Sequence, residues 1–420
     1  MLKPRQIYTL VLWLLLPYVF FHLLWRARKQ PEYLSHIPER FGFYKVQTDK
    51  PIIWLHTVSV GETRAASTLI KRLQVSYPDH TILLSHTTPT GRDASEQLYG
   101  DSVIRVYLPY DYPFAIQRFL QHFKPRIGVL LETEIWFNLI HQSNTLLIPL
   151  LLLNARLSEK SARSYKRFTS LTKTGLSQLN LVAAQSTEDA VRLASLGAEN
   201  VTVMGNLKYD IEPPKPIHET GKHLRNLFGL NRPIFLAAST RAGEEKLLLE
   251  SLNQIDLPGL LTVIVPRHPQ RFEEVASLIA QHGIQFQRRS ENLPVSADTK
   301  VVLGDSMGEM LAYYVACDIT FIGGSLLPLG GQNLIEACAV GTPVLIGPHT
   351  YNFSQATMLA IENGAAIRIQ NADNLAQTLH QLLLQPEKLA QMGKAGLSFV
   401  NANKGATEKA LSKINQALYT

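Results

Sequence analysis

Beyond residue 50, short runs of β-branched and large aliphatic residues alternate with stretches of helical periodicity, the pattern of parallel α/β sheets. In the first half the predicted strands lie in IIWLHTVSV (52–60), TILLSHT (81–87), VIRVYLP (103–109), RIGVLLETE (126–134), TLLIPLLLLNA (145–155), LVAAQS (181–186) and VTVMGNL (201–207). IEPPKPIHETG (211–221) follows, with three prolines in four positions, and is the best linker in the chain. The rhythm then restarts with PIFLAAS (233–239), LLTVIVP (260–266), KVVLGD (300–305), ITFIGG (319–324) and TPVLIG (342–347). Strands this continuously apolar are buried on both faces, and ligands of such sheets gather beyond the carboxyl ends of the strands. At the other end of the chain, nineteen residues from Ile7 to Trp25 carry no formal charge. That length just crosses a hydrocarbon core of about 30 Å. No small-residue cleavage site follows, so an uncleaved anchor is expected, either spanning or, given Pro17 and His22, lying in the interface.

Composition narrows this picture. With 420 residues, 45% of them hydrophobic, and only two cysteines (Cys317 and Cys338), a disordered chain and a disulfide scaffold are excluded, and two domains are expected. The net charge is +7, and residues 1–50 hold eight Lys/Arg against three acidic residues, most of the excess. That bias points to a membrane surface or an anionic substrate rather than nucleic acid. Because Arg26, Arg28 and Lys29 outnumber Lys3 and Arg5, the large C-terminal portion is expected on the cytoplasmic side.

Candidate chemistry sits in the loops after the predicted strands. In HTVSVGE, Glu62 falls in the first turn of a helix; it either satisfies the helix dipole or serves as a general base. Glu132 and Glu134 end another strand, and a neighbouring carboxylate would raise the pKa of Glu62. Arg156, Lys160, Arg163, Lys166 and Arg167 form either a solvated helix face or a phosphate site, and Lys208 is placed to approach a leaving phosphate. In the second half, Gly323-Gly324-Ser325 and Gly330-Gly331-Gln332-Asn333 precede a helix start. Free backbone N–H groups are expected to converge there on an anion. Arg267 after Pro266 suits a phosphate, the loop around Met307 a base, and Glu336 a ribose. There is no Walker A loop, G-x-G-x-x-G, D-x-D or H-E-x-x-H pattern, so no metal site and no cofactor are expected.

Taken in order, IPERFGFY, HTVSVGE, TTPTGRD, YLPYD, ETEIWFN, NARLS, GNLKYD, VPRHPQRF, GDSMGE, FIGGSL and GGQNLIEACAVGTPVLIGP resemble the motif series of the lipid A 3-deoxy-D-manno-octulosonic acid (Kdo) transferases. The likeness runs from about residue 30 to residue 355. It implies an α/β fold of the GT-B glycosyltransferase class, with two Rossmann-like domains facing across a cleft and an N-terminal membrane-anchoring helix. The implied division is an anchor over 1–29, an acceptor-binding domain over 30–210, a linker over 211–221 and a CMP-sugar-binding domain over 222–420. The implied reaction is inverting transfer of Kdo from CMP-Kdo to a lipid A precursor in lipopolysaccharide assembly, at the cytoplasmic face of the bacterial inner membrane. Carried onto this chain, Glu62 matches the catalytic base, and Glu132 and Lys208 match groups that support the transition state. Pro266, Arg267, Met307, Gly308, Glu309, Asn333, Leu334, Ile335 and Glu336 match CMP contacts. A UDP-sugar transferase of the same fold and an inactive nucleotide-sugar scaffold are the competing possibilities.

Overall fold

All five residues of Ile52–His56 are buried, and Trp54 at the centre is fully enclosed. A segment apolar on both faces belongs in the interior of a sheet with helices on each side. The computed structural model describes residues 3–28, 30–213, 216–252 and 257–419. It resolves into two compact units, Met1–Asp210 with Lys404–Thr420, and Ile211–Asn403.

The first unit carries β1 (Ile52–His56), β2 (Thr81–His86), β3 (Ile104–Tyr107), β4 (Ile127–Leu131), β5 (Leu150–Ala155), β6 (Leu181–Ala184) and β7 (Val201–Val203). They form one seven-stranded parallel sheet in the order β3-β2-β1-β4-β5-β6-β7. Ile53 lies opposite Ile82 and Ile127, and Leu55 opposite Leu84 and Val129. The strand order reverses between β1 and β4, which makes the loops after these two strands the expected place for a ligand.

Trp54 pairs across the sheet with Gly128 and anchors its indole N–H on Ser85 Oγ at 2.7 Å. A Cβ on Gly128 would come within 2.6 Å of Trp54 Cε3 and 2.7 Å of Leu150 Cδ1. Gly128→Ala therefore overpacks a rigid core, at an expected cost of about 1–3 kcal/mol. A lower urea midpoint for unfolding of the first unit would register it.

The second unit repeats the plan with β8 (Ile234–Thr240), β9 (Leu261–Pro266), β10 (Phe286–Arg288), β11 (Val301–Leu303), β12 (Ile319–Ile322), β13 (Val344–Ile346) and β14 (Ala366–Arg368). Their order is β10-β11-β9-β8-β12-β13-β14, again wholly parallel, with the reversal between β8 and β12. These are two Rossmann-like units, the α/β architecture of the GT-B class.

Three details depart from the sequence expectations. The edge strands β10 and β14 were not predicted; each is three residues long and includes an arginine. The linker expected over 211–221 is shorter: 214 and 215 lie outside the described residues, and a helix over Ile217–Phe228 takes the remainder. Its Gly221 packs so closely on Val315 that a Cβ would come within 2.4 Å. Finally, the helix Ala406–Tyr419 belongs to the first unit, not to a domain over 222–420. Its apolar stripe of Ala406, Ala410 and Ile414 is buried against a core that includes Ile53 and Leu55. Asp210 accepts the Gly405 N–H at 2.7 Å and the Thr407 N–H, and Tyr77 donates to Asn415 Oδ1 at 3.0 Å.

The N-terminal apolar run forms one helix, Pro4–Ala27, long and apolar enough to cross a membrane. One face rests on the first unit. Tyr8 donates to Asp111 Oδ2 at 2.9 Å, Arg5 Nη1 to Asn138 Oδ1 at 3.1 Å, and Tyr112 to the Leu12 carbonyl at 2.7 Å. Leu23 and Ala27 are buried on the same side. Leu10, Leu14, Tyr18, Phe21 and Trp25 on the other side are exposed.

Candidate active site

In the first unit the loop after β1 enters the helix Val60–Ala65, with Ser59 as its extended N-cap. Glu62 turns back over this start. Its Oε2 accepts the Val58 N–H at 2.8 Å and its Oε1 accepts the Ser59 hydroxyl at 3.0 Å. The dipole-satisfying role and an unusual acidity thus coexist in one side chain. Burial and the Glu132 carboxylate push its pKa up to about 7, with Glu134 adding to the rise, while the Val58 N–H and His56 pull the other way.

Glu132 leaves β4 with φ of 61°, and Asn154 at the end of β5 has φ of 53°. Left-handed backbone at a glutamate costs of order 1–3 kcal/mol and persists only where surroundings enforce it. Here the Glu132 N–H bonds the Leu153 carbonyl at 3.2 Å, and its side chain takes Lys208 Nζ on Oε1 at 2.9 Å. Lys208 itself sits in the short turn Leu207–Tyr209, held because Asn154 Oδ1 accepts the Leu207 N–H at 3.1 Å. Glu134 accepts the Trp136 indole N–H at 2.6 Å, with His56 Nε2 3.8 Å away. Glu62, Glu132, Glu134 and Lys208 are therefore brought together. The basic residues Lys160, Arg163, Lys166 and Arg167 are exposed on and just beyond the helix Glu159–Lys166, and Arg163 faces Glu159 at 3.9 Å.

In the second unit the predicted nucleotide loops follow β9, β11 and β12. Pro266 closes β9, and the Arg267 N–H bonds the Thr240 carbonyl at 3.0 Å. Met307 is 59% exposed, and Gly308 adopts φ of 82°. Glu309 is already engaged by Arg289 Nη2 at 3.0 Å and by the Ser306 hydroxyl. Asn333 accepts the Ile335 N–H at 3.1 Å and donates to Glu336 Oε1 at 3.2 Å. The Leu334 and Ile335 side chains are wholly in the core, so only their backbone can meet a ligand.

The glycine loops differ from expectation. The Gly324 and Leu326 N–H groups are taken by the buried carboxylate of Glu244, at 2.6 and 3.0 Å, which also accepts the Arg241 N–H at 2.9 Å. The Gly331 and Gln332 N–H groups bond the Gly324 and Gly323 carbonyls at 2.6 and 3.0 Å. Three donors read as free for an anion, those of Gly324, Gly331 and Gln332, instead hold the loop in shape. Glu244 was missed because an acid at a helix start looks like ordinary dipole chemistry. Its neighbour Glu245, also fully buried, grips Arg271 through two bonds of 2.6 and 3.1 Å.

Comparison with known proteins gives this geometry a context. Residues 35–211 match the family described as 3-deoxy-D-manno-octulosonic-acid transferase (kdotransferase), and residues 270–399 match glycosyl transferases group 1. The chain is 38% identical to the 3-deoxy-D-manno-octulosonic acid transferase of Haemophilus influenzae over 421 residues, 99% of each chain. It is likewise 38% identical to that of Bordetella pertussis over 430 residues, again 99% of each. Among solved structures, a glycosyltransferase from Rickettsia africae is similar in fold, with a TM-score of 0.59 and 17% identity over 88% of this chain and 99% of that one.

Proposed function

Since this chain belongs to the 3-deoxy-D-manno-octulosonic acid transferase family, we propose that it moves Kdo from CMP-Kdo to a hydroxyl of a lipid A precursor with inversion, Glu62 acting as general base. The observation that carries this is the carboxyl of Glu62, raised to about 7 beside two further carboxylates at the switch point of the first sheet. A base tuned near the working pH combines a useful ionised fraction with a useful driving force for proton transfer.

In the proposed step the acceptor hydroxyl gives its proton to Glu62 as its oxygen bonds to C2 of Kdo. The C2–O bond to the phosphate breaks on the opposite face, and CMP leaves with that electron pair. In this reading Lys208, which pairs with Glu132 at 2.9 Å, offsets charge developing on the leaving phosphate. Arg267 and the loops of Met307–Glu309 and Asn333–Glu336 supply the nucleotide cradle.

The N-terminal helix fits a lipid acceptor. Its docked face leaves Leu10, Leu14, Tyr18, Phe21 and Trp25 to enter the headgroup boundary of the inner membrane from the cytoplasmic side. Confinement there raises the effective concentration of the lipid acceptor.

Incubating the full chain with CMP-Kdo and a tetra-acylated lipid A precursor, then weighing the product and reading its anomeric configuration by NMR, tests the assignment. A mass gain of whole Kdo units with the configuration inverted is expected. Turnover with a UDP-sugar but none with CMP-Kdo would overturn the donor, and retention would overturn the single displacement.

A further inference from the structure

Three carboxylates gather beyond the strand ends of the first unit, yet each meets a different partner. Glu132 has the Lys208 ammonium. Glu62 accepts from the neutral donors of Val58 and Ser59. Glu134 faces His56, whose side chain is fully buried at the end of β1.

The hydrogen bonds of His56 restrict its protonation. Nδ1 lies 3.0 Å from the Ser85 carbonyl and 2.8 Å from the Ser85 hydroxyl. A carbonyl only accepts, so Nδ1 carries hydrogen. Ser85 Oγ also accepts from the Trp54 indole. Nε2 is buried without a hydrogen-bond partner and points to Glu134 Oε2. If bare, it would set a lone pair against a carboxylate inside the protein; protonated, it completes an ion pair. The other buried histidine, His86, is bonded at Nδ1 to Thr57 and at Nε2 to the Ser95 hydroxyl, and burial drives its pKa down to about 3. It therefore supplies no charge to the pocket.

Building on the proposed base, we infer that His56 is a positioning residue that holds a proton at Nε2 against Glu134, cancelling that carboxylate so that Glu62 remains the one carboxylate of the three without a cation. The charged and titratable groups facing it are Glu134 and Glu62 in the pocket and neutral His86 on β2, with Glu132 and Lys208 paired beyond.

The test is the pH profile of turnover for the full chain. His56→Gln leaves Glu134 uncompensated, so the acid limb set by Glu62 moves upward. Turnover at pH 7 falls about fivefold for the first unit of displacement and recovers by about pH 9, with the KM for CMP-Kdo unchanged. Glu134→Gln removes the repulsion instead and moves the limb downward. Opposite displacements support the assignment; a His56→Gln loss equal at every pH, or none at all, overturns it. Should the variant fail to fold, histidine 15N NMR of the unaltered protein decides: an imidazolium for His56 at pH 7 supports the inference, and a neutral ring overturns it. A flat His56→Gln profile beside an inactive Glu62→Gln enzyme would remove only the role of His56 and leave the base in place.

Discussion

Glu62→Gln is expected to lower turnover at least about a hundredfold, the scale on which a positioned general base contributes. Glutamine retains the local contacts: its carbonyl can accept the Val58 N–H and its amide can donate to Ser59 Oγ. Affinity for CMP should stay as it was, because the cradle assigned to the nucleotide, Arg267, Met307–Glu309 and Asn333–Glu336, lies within Ile211–Asn403. The unaltered enzyme should gain activity as the pH rises through about 7, since the base works deprotonated. Stability moves the other way. The folded carboxyl holds its proton up to about 7 against an ordinary 4.5, so between these values the native state binds more protons than the unfolded chain. Stability from this group is therefore present at low pH and lost as pH rises through that window. Glu62→Gln should consequently melt above the parent at pH 8 and level with it at pH 4, by thermal unfolding. Undiminished turnover in this variant would remove Glu62 from the chemistry.

Glu244→Ala is expected to be the most damaging single change in the second unit. One fully buried carboxylate accepts the N–H groups of Arg241, Gly324 and Leu326. Without it, three donors lose their partner, each at about 1–3 kcal/mol, so a loss of about 3 kcal/mol or more is expected. The loop after β12 should loosen, and CMP affinity should fall with it. Gln at this position keeps one acceptor oxygen and should lie between. Chemical unfolding combined with calorimetric CMP titration measures both effects; parental stability and parental affinity in the alanine variant would show that the loop does not depend on this acid.

The interior strands were legible because they are apolar on both faces, a property of local sequence. The edge strands Phe286–Arg288 and Ala366–Arg368 were not, being short and carrying polar residues. The allegiance of Ala406–Tyr419 was hidden for a different reason: its stripe of Ala406, Ala410 and Ile414 says that the helix covers something, but not which core. In the pocket, Glu62 and Glu132 stood out at strand ends. The pairing of Glu132 with Lys208, 76 positions apart, follows from the order β4-β5-β6-β7, which no local pattern encodes. His56 read as one more residue of a buried strand, and the first glycine loop read as a free donor because the acid that takes its Gly324 N–H lies 80 positions upstream.

The return of the last helix to the first unit has a consequence for biosynthesis. The second unit is an insertion within the first, bounded by Asp210 and Lys404, so the amino-terminal sheet leaves the ribosome with part of its covering still unmade. Ile53 and Leu55 must wait for Ala406, Ala410 and Ile414, some 350 residues later. The nascent chain thus inverts the usual N-terminal-first order of maturation: the inserted unit can finish early, while the part bearing Glu62 is sealed last.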